Sequence, residues 1–183
     1  MTTYPATPLL LCIDLQPAFL AAIADSQRVH WRCSFALEAA KGLGLSVLFT
    51  EQVPEKLGHT AEDLLALCDG PEVMGKDTFS IFGDKKIKAH LAEKGLKKLL
   101  ICGIETPVCV YQTARDALKA GYHVTLLSDC LGARRAGDAT AALAQLAHDG
   151  CQVLPAETVF YGLLHHARHP FFRPYTALVK KYG

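Results

Sequence analysis

Residues 98–121 read KLLICGIETPVCVYQTARDALKAG. The opening run, KLLICGI, is short and almost unbroken in its apolar character, as a buried strand is. Pro107 suits the first turn of a helix, and Val108, Tyr111, Ala114, Ala117 and Leu118 recur at helical spacing. Gly121 then supplies a C-terminal stop. A strand feeding a helix is half of a strand–helix–strand unit, so the fold turns on whether the rest of the chain repeats it.

The pattern does repeat. Apolar runs at 9–13, 46–50, 123–127 and 151–154 are each bounded by Gly, Asp or Pro. They are continuous rather than alternating, which predicts strands buried on both faces of a parallel sheet. Helical segments lie between them. Phe35, Leu37, Ala40 and Leu43 mark one; 89–91, behind Asp84 as a possible N-cap, mark another; 138–148 is rich in Ala and Leu and ends at Gly150. The stretch 52–80 is the least regular, with a helix-like core over 60–67 and loop elsewhere. The expected fold is α/β, a doubly wound, mostly parallel six-stranded sheet with helices on both faces. No repeat or linker appears, so 1–183 reads as a single domain with a C-terminal extension from about 165.

Composition narrows the function. The 183 residues are 50% hydrophobic and 20% charged, and 19 basic against 18 acidic residues leave a formal net charge of +1. That balance argues against nucleic acid or a membrane surface as the main partner. The apolar run at 8–13 is ended by Asp14, too short to span a bilayer, and it lacks the basic front and cleavage site of a secretory signal. A cytoplasmic protein is the expectation. The seven cysteines are odd in number and contain no CxxC pair, so neither a disulfide framework nor a zinc site is expected.

In a doubly wound sheet, ligands bind beyond the carboxyl ends of the strands where strand order reverses. That rule selects Asp14, Glu51, the segment 103–109 and Asp129. Cys109 differs from the other cysteines in falling at a helix start, where free N–H groups and partial positive charge stabilise a thiolate and can hold an oxyanion. A core cysteine on the sheet-facing side of the helix is the competing reading. Asp14 reads first as a turn former or N-cap, and, if it shares a crevice with Cys109, as a carboxylate able to take a thiol proton. Lys76, in MGKDTFSIF, reads on its own as a solvated lysine.

Taken together, DLQPAF at 14–19, KDTFSIF at 76–82 and GIETPVCV at 103–110 resemble the isochorismatase-like cysteine hydrolases, the superfamily that also holds the nicotinamidases. The segment TEQVPEKLGHT at 50–60 is similar to the isochorismatase domain-containing subgroup. The resemblance implies Asp14 as general base and acid, Lys76 as electrostatic support and Cys109 as nucleophile. It implies a cis peptide joining Ile104 to Glu105, with the backbone N–H groups of Glu105 and Cys109 forming an oxyanion hole. The activity implied is hydrolysis of a small molecule at an amide or other C–N bond, through a Cys109 thioester. Nicotinamidases carry an Asp and His pairs after the second strand. Here His59 stands alone, so no metal and no cofactor are expected. DLQPAF also departs from the usual D-x-Q-N-D-F.

Gln16, Phe19, Phe79 and Phe82 are candidates for the substrate pocket, although such aromatics also serve cores. The C-terminal stretch HHARHPFFRPYTALVKKYG mixes basic and aromatic residues. It can bind nucleic acid by phosphate contact and stacking, or pack its rings on the body or on another subunit, which is the favoured reading. Exposed apolar helices and the resemblance both suggest a homo-oligomer. The rival readings are a non-catalytic binding or scaffold member of the fold, and nucleic-acid interaction through the tail.

Overall fold

A computed structural model describes residues 7–183. Strand β1 (Leu9–Ile13) leads through the single turn α1 (Pro17–Leu20) into the long α2 (Ser26–Gly42) and β2 (Val47–Gln52). The short turns α3 (Pro54–Leu57) and α4 (Glu62–Leu65) precede β3 (Glu72–Lys76), and α5 (Lys85–Lys94) precedes β4 (Lys98–Gly103). A π-helical turn over Thr106–Val110 runs into α6 (Tyr111–Lys119). Then come β5 (His123–Leu131), α7 (Ala136–His148), β6 (Gln152–Leu154), α8 (Ala156–Leu164) and α9 (Phe172–Tyr182). The strands form one six-stranded sheet in the order β3-β2-β1-β4-β5-β6, and every neighbouring pair is parallel.

Continuous apolar strands produce this arrangement because both sheet faces are covered. Leu10 and Cys12 of β1 join a core with Val29 and Phe35 of α2, Phe160 of α8 and Tyr175 of α9. Leu9, Leu11 and Ile13 point the other way, toward Ile87 of α5, Ala114 of α6 and Leu146 of α7. Each such large side chain contributes about 1.5–3 kcal/mol when fully buried. Asp84 caps α5, its carboxylate accepting from the Lys86 and Ile87 N–H groups at 2.8 and 3.0 Å.

Three details differ from the sequence expectation. The stretch 52–80 contains a strand, β3, whose EVMGK alternates in exposure as an edge strand does. The helix expected over 60–67 is the single turn α4. Strand β5 continues to Leu131 past a register shift between Ile101 and Gly103, so Asp129 lies within the strand rather than beyond it.

The C-terminal stretch packs on the body. Tyr175 and Tyr182 of α9 are buried, with ring centroids 5.8 and 5.9 Å from that of Phe35, and the Tyr175 hydroxyl donates to the Glu157 carbonyl at 3.1 Å. Lys181 and the Tyr182 hydroxyl both reach the Glu38 carboxylate. Tyr175 and Tyr182 are therefore committed to the core, and Phe171 and Phe172 lie half-buried against it.

Candidate active site

The chain passes from β1 to β2 on one side and returns to β4 on the other, so the β1/β4 boundary is where strand order reverses. A crevice opens at the carboxyl ends of these strands. Gly103 lets the two ends close together. It has φ +111°, and a Cβ there would lie 2.1 Å from the Ile13 carbonyl oxygen. The next N–H, of Ile104, donates to that same oxygen at 2.9 Å. Asp14 leaves β1 in the left-handed region, φ +53°, a conformation that Asp tolerates better than most residues.

Asp14, Lys76 and Cys109 meet at this point. The Asp14 Oδ1 accepts from the Thr50 hydroxyl at 3.0 Å and its Oδ2 from Lys76 Nζ at 2.8 Å. Lys76 Nζ also donates to Gln52 Oε1 at 2.5 Å and lies 3.9 Å from Cys109 Sγ. Strand pairing explains the cluster. Gln52 and Lys76 are register partners at the ends of β2 and β3, and Thr50 is the partner of Ile13. A lysine that reads as solvated in isolation is thus buried, with two oxygen partners and a sulfur. Buried charges need such partners, since desolvation penalises an unpaired one heavily.

The electrostatics differ from those of a bare helix start. Burial, and then the negative charge of Asp14, pushes the Cys109 thiol up to about 12, against the pull of Lys76. Burial also raises the Asp14 carboxyl, with Lys76 only partly offsetting it. Desolvation and a facing carboxylate thus work against the helix N-terminus, which by itself favours a thiolate. That direction favours the neutral thiol, beside the Asp14–Lys76 pair.

Asp14 and Cys109 border a cavity of about 410 Å³, with Lys76 buried behind them. Phe19, Ala22, Ile23, Phe79, Ile104 and Val108 form its apolar walls, and Gln52, Glu105 and Arg134 add polar groups. The Ile104–Glu105 peptide is cis. Among the described residues the Glu105 N–H has no hydrogen-bond partner, and the Cys109 N–H has none outside its own helical turn.

Other expected positions fall elsewhere. Gln16 does not line the cavity. Its amide is spent on backbone, donating to the Gln52 and Gly58 carbonyls at 3.1 and 2.6 Å and accepting from the Gln52 N–H at 2.7 Å. Phe82 does not line it either; its ring packs edge-on against Tyr122 at 5.4 Å. Asp129 binds Arg32 at 2.8 Å and the Ala156 N–H at 2.7 Å, a structural tie to α8. Glu51 holds the Thr60 N–H at 2.7 Å and His59 at 3.0 Å. Among the described residues no three His, Cys, Asp or Glu side chains gather as metal ligands would. Thr50, Gln52 and Arg134 escape a reading of the sequence, since no local pattern marks them.

Comparison with known proteins places this architecture. The isochorismatase domain model matches residues 8–158. Isochorismatase family protein 1A of Dictyostelium discoideum is 33% identical over 174 residues, spanning 92% of this chain and 84% of that one. The MAR1 ribonuclease of Caenorhabditis elegans superposes with a TM-score of 0.89 at 27% identity, over 98% of this chain and 93% of its own. The YcaC gene product of Escherichia coli, an octameric hydrolase of unknown specificity, superposes with a TM-score of 0.85 over 100% of this chain and 98% of its own. At 18% identity that last likeness speaks to the fold alone.

Proposed function

The chain belongs to the isochorismatase family, and from that premise we propose that it is a cysteine-dependent hydrolase of a small molecule, acting at an amide or related C–N bond. One observation carries the reading: a buried carboxylate and a thiol border one cavity and share a buried ammonium, with Lys76 Nζ 2.8 Å from Asp14 and 3.9 Å from Cys109. In this reading Asp14 takes the thiol proton and the sulfur attacks the carbonyl carbon. The oxyanion rests on the Glu105 and Cys109 N–H groups. The C–N bond breaks as Asp14 returns the proton to the amine. Water, giving its proton to Asp14, then attacks the thioester. The C–S bond breaks, the acid leaves and the proton returns to sulfur. Lys76 keeps the Asp14 charge balanced throughout. No cofactor enters the scheme.

The test is a panel of small amides followed by intact-mass spectrometry. Turnover with a transient acyl adduct on Cys109, absent in Cys109→Ala, is expected. Full turnover by Cys109→Ala would overturn the scheme. The cytoplasm is part of this proposal, and seven unpaired cysteines agree with a reducing compartment. Among the described residues no helix is long and apolar enough to cross a membrane. Exposed Leu154 and Tyr161 fit a homo-oligomer, which light scattering of the purified chain checks.

The likeness to a ribonuclease supplies a second reading, cleavage of RNA. Against it stand the net charge of +1 and a tail whose tyrosines face inward. Incubation with single-stranded RNA separates the two: cleavage lost in Cys109→Ala would favour this reading over amide hydrolysis.

A further inference from the structure

Gln52 borders the cavity that holds Cys109, and it is buried. Its carboxamide is held at both ends. Nε2 donates to the Asp77 carbonyl at 3.0 Å, so Oε1 faces the other way, where it accepts from Lys76 Nζ at 2.5 Å. The backbone around it is clamped as well. Gln16 takes the Gln52 N–H and carbonyl at 2.7 and 3.1 Å, and the Val53 N–H donates to the Lys76 carbonyl at 2.8 Å. Gln16 thus serves the site from outside the cavity.

An ammonium has three N–H donors and no acceptor. Lys76 Nζ spends one on Asp14 Oδ2 at 2.8 Å and one on Gln52 Oε1, and it lies 3.9 Å from Cys109 Sγ. The Gln52 acceptor is neutral. It fixes where Nζ sits without cancelling its charge, as a second carboxylate would. Without it, Nζ would close on the Asp14 carboxylate, because a charged acceptor draws an ammonium more strongly than a thiol does. The other charged groups on the cavity, Glu105 and Arg134, pair with each other at 3.0 Å.

Resting on the hydrolase reading above, we infer that Gln52 is a positioning residue whose clamped carboxamide holds the Lys76 ammonium between Asp14 and Cys109. When the thiol proton moves to Asp14, the carboxylate loses its charge and sulfur gains one. Nζ, kept within reach of both, then balances the thiolate without leaving its place. No contact with the substrate is required of Gln52.

The experiment measures Cys109 alkylation by iodoacetamide at pH 8, read by mass spectrometry on the full chain and on Gln52→Leu, Gln52→Glu and Lys76→Met. Gln52→Leu should slow alkylation about three- to tenfold, because the thiolate loses part of its counter-charge. Gln52→Glu should slow it at least as much, since the added charge competes for Lys76. In the Lys76→Met background, Gln52→Leu should change the rate by less than about twofold, as nothing is left to position. A residue that merely packs would behave otherwise. Loosened packing would expose the thiol and speed alkylation, and its effect would be the same in both backgrounds; either result would overturn the inference. Where Gln52→Leu does not fold, Gln52→Met, closer in shape, takes its place. The proton–nitrogen NMR signal of the buried Lys76 ammonium, assigned by its loss in Lys76→Met, reads the contact even if Cys109 is unreactive. It should shift in Gln52→Leu, and an unmoved signal would overturn the inference. Neither readout needs turnover. Coupling without any amide hydrolysis would therefore sink the hydrolase reading and leave the placement of Lys76 standing, whereas Cys109-dependent hydrolysis without coupling would sink the role of Gln52 alone.

Discussion

Cys102 and Cys109 lie on one strand–turn–helix segment, both buried, yet their surroundings make them different kinds of sulfur. Cys102 belongs to a thiol-rich layer with Cys12, Cys33 and Cys130 between the sheet and α2. There Cys102 Sγ lies 3.4 Å from Cys12 Sγ, Cys33 donates to the Cys130 carbonyl at 3.3 Å, and Cys130 to the Arg32 carbonyl at 3.2 Å. All four thiols are held above their ordinary range. Burial leads for Cys12 and Cys130, and sulfur–sulfur hydrogen bonds lead for Cys33 and Cys102. Cys109 is raised too, to about 12. A shifted pKa therefore does not separate the two regions. What separates them is a cavity at Cys109 and a carboxylate–ammonium pair beside it, able to receive the proton that burial keeps on sulfur. None of the four core thiols lines that cavity.

The largest effect that sharpens this contrast is on turnover. Cys109→Ala should lower amide hydrolysis by at least about a thousandfold. Cys102→Ala should leave the rate within a few-fold and lower stability by about 1 kcal/mol, read by urea denaturation. Equal losses of rate would erase the distinction. Next comes Asp14→Asn, expected to reduce turnover about a hundredfold or more because the proposed base is gone.

The same substitution should have the opposite sign on alkylation. Asp14 raises the thiol pKa and Lys76 lowers it. At pH 8, iodoacetamide should modify Cys109 faster in Asp14→Asn and slower in Lys76→Met, since the thiolate fraction changes about tenfold when the thiol pKa moves by one. In the wild type the rate should keep rising with pH, with no plateau until about pH 12. A plateau near pH 8 would mean that the helix end dominates after all. The smallest expected effect is Cys12→Ala on the Cys109 alkylation rate, which should change less than twofold, because the core layer shares no charged group with the site.

Much of the molecule is legible in its sequence. KLLICGI and the other continuous runs announce strands covered on both faces, and a parallel sheet leaves its ligand crevice at the strand ends. Asp14 and Cys109 stand out by that positional argument. Strand β3 does not, because an edge strand with alternating exposure and Gly75 inside it lacks the continuous apolar signal. Gln52 escapes because its role arises from the register Gln52↔Lys76 across two strands. Gln16 and Phe82 are misplaced for a related reason. Residue type suggests a pocket, but side-chain direction assigns them to a backbone clamp and to the Tyr122 ring.

Sequence alone thus determined the layered α/β plan, the strand ends that border the cavity, and the cysteine that heads a helix, since these depend on local periodicity and chain order. Tertiary structure alone decided that Lys76 is a buried partner rather than a solvated charge, that the Cys109 thiol holds its proton, and that Arg134 faces the cavity. Those properties come from desolvation and from contacts across strands and loops far apart in the chain, where the energy of a charge is set by what surrounds it.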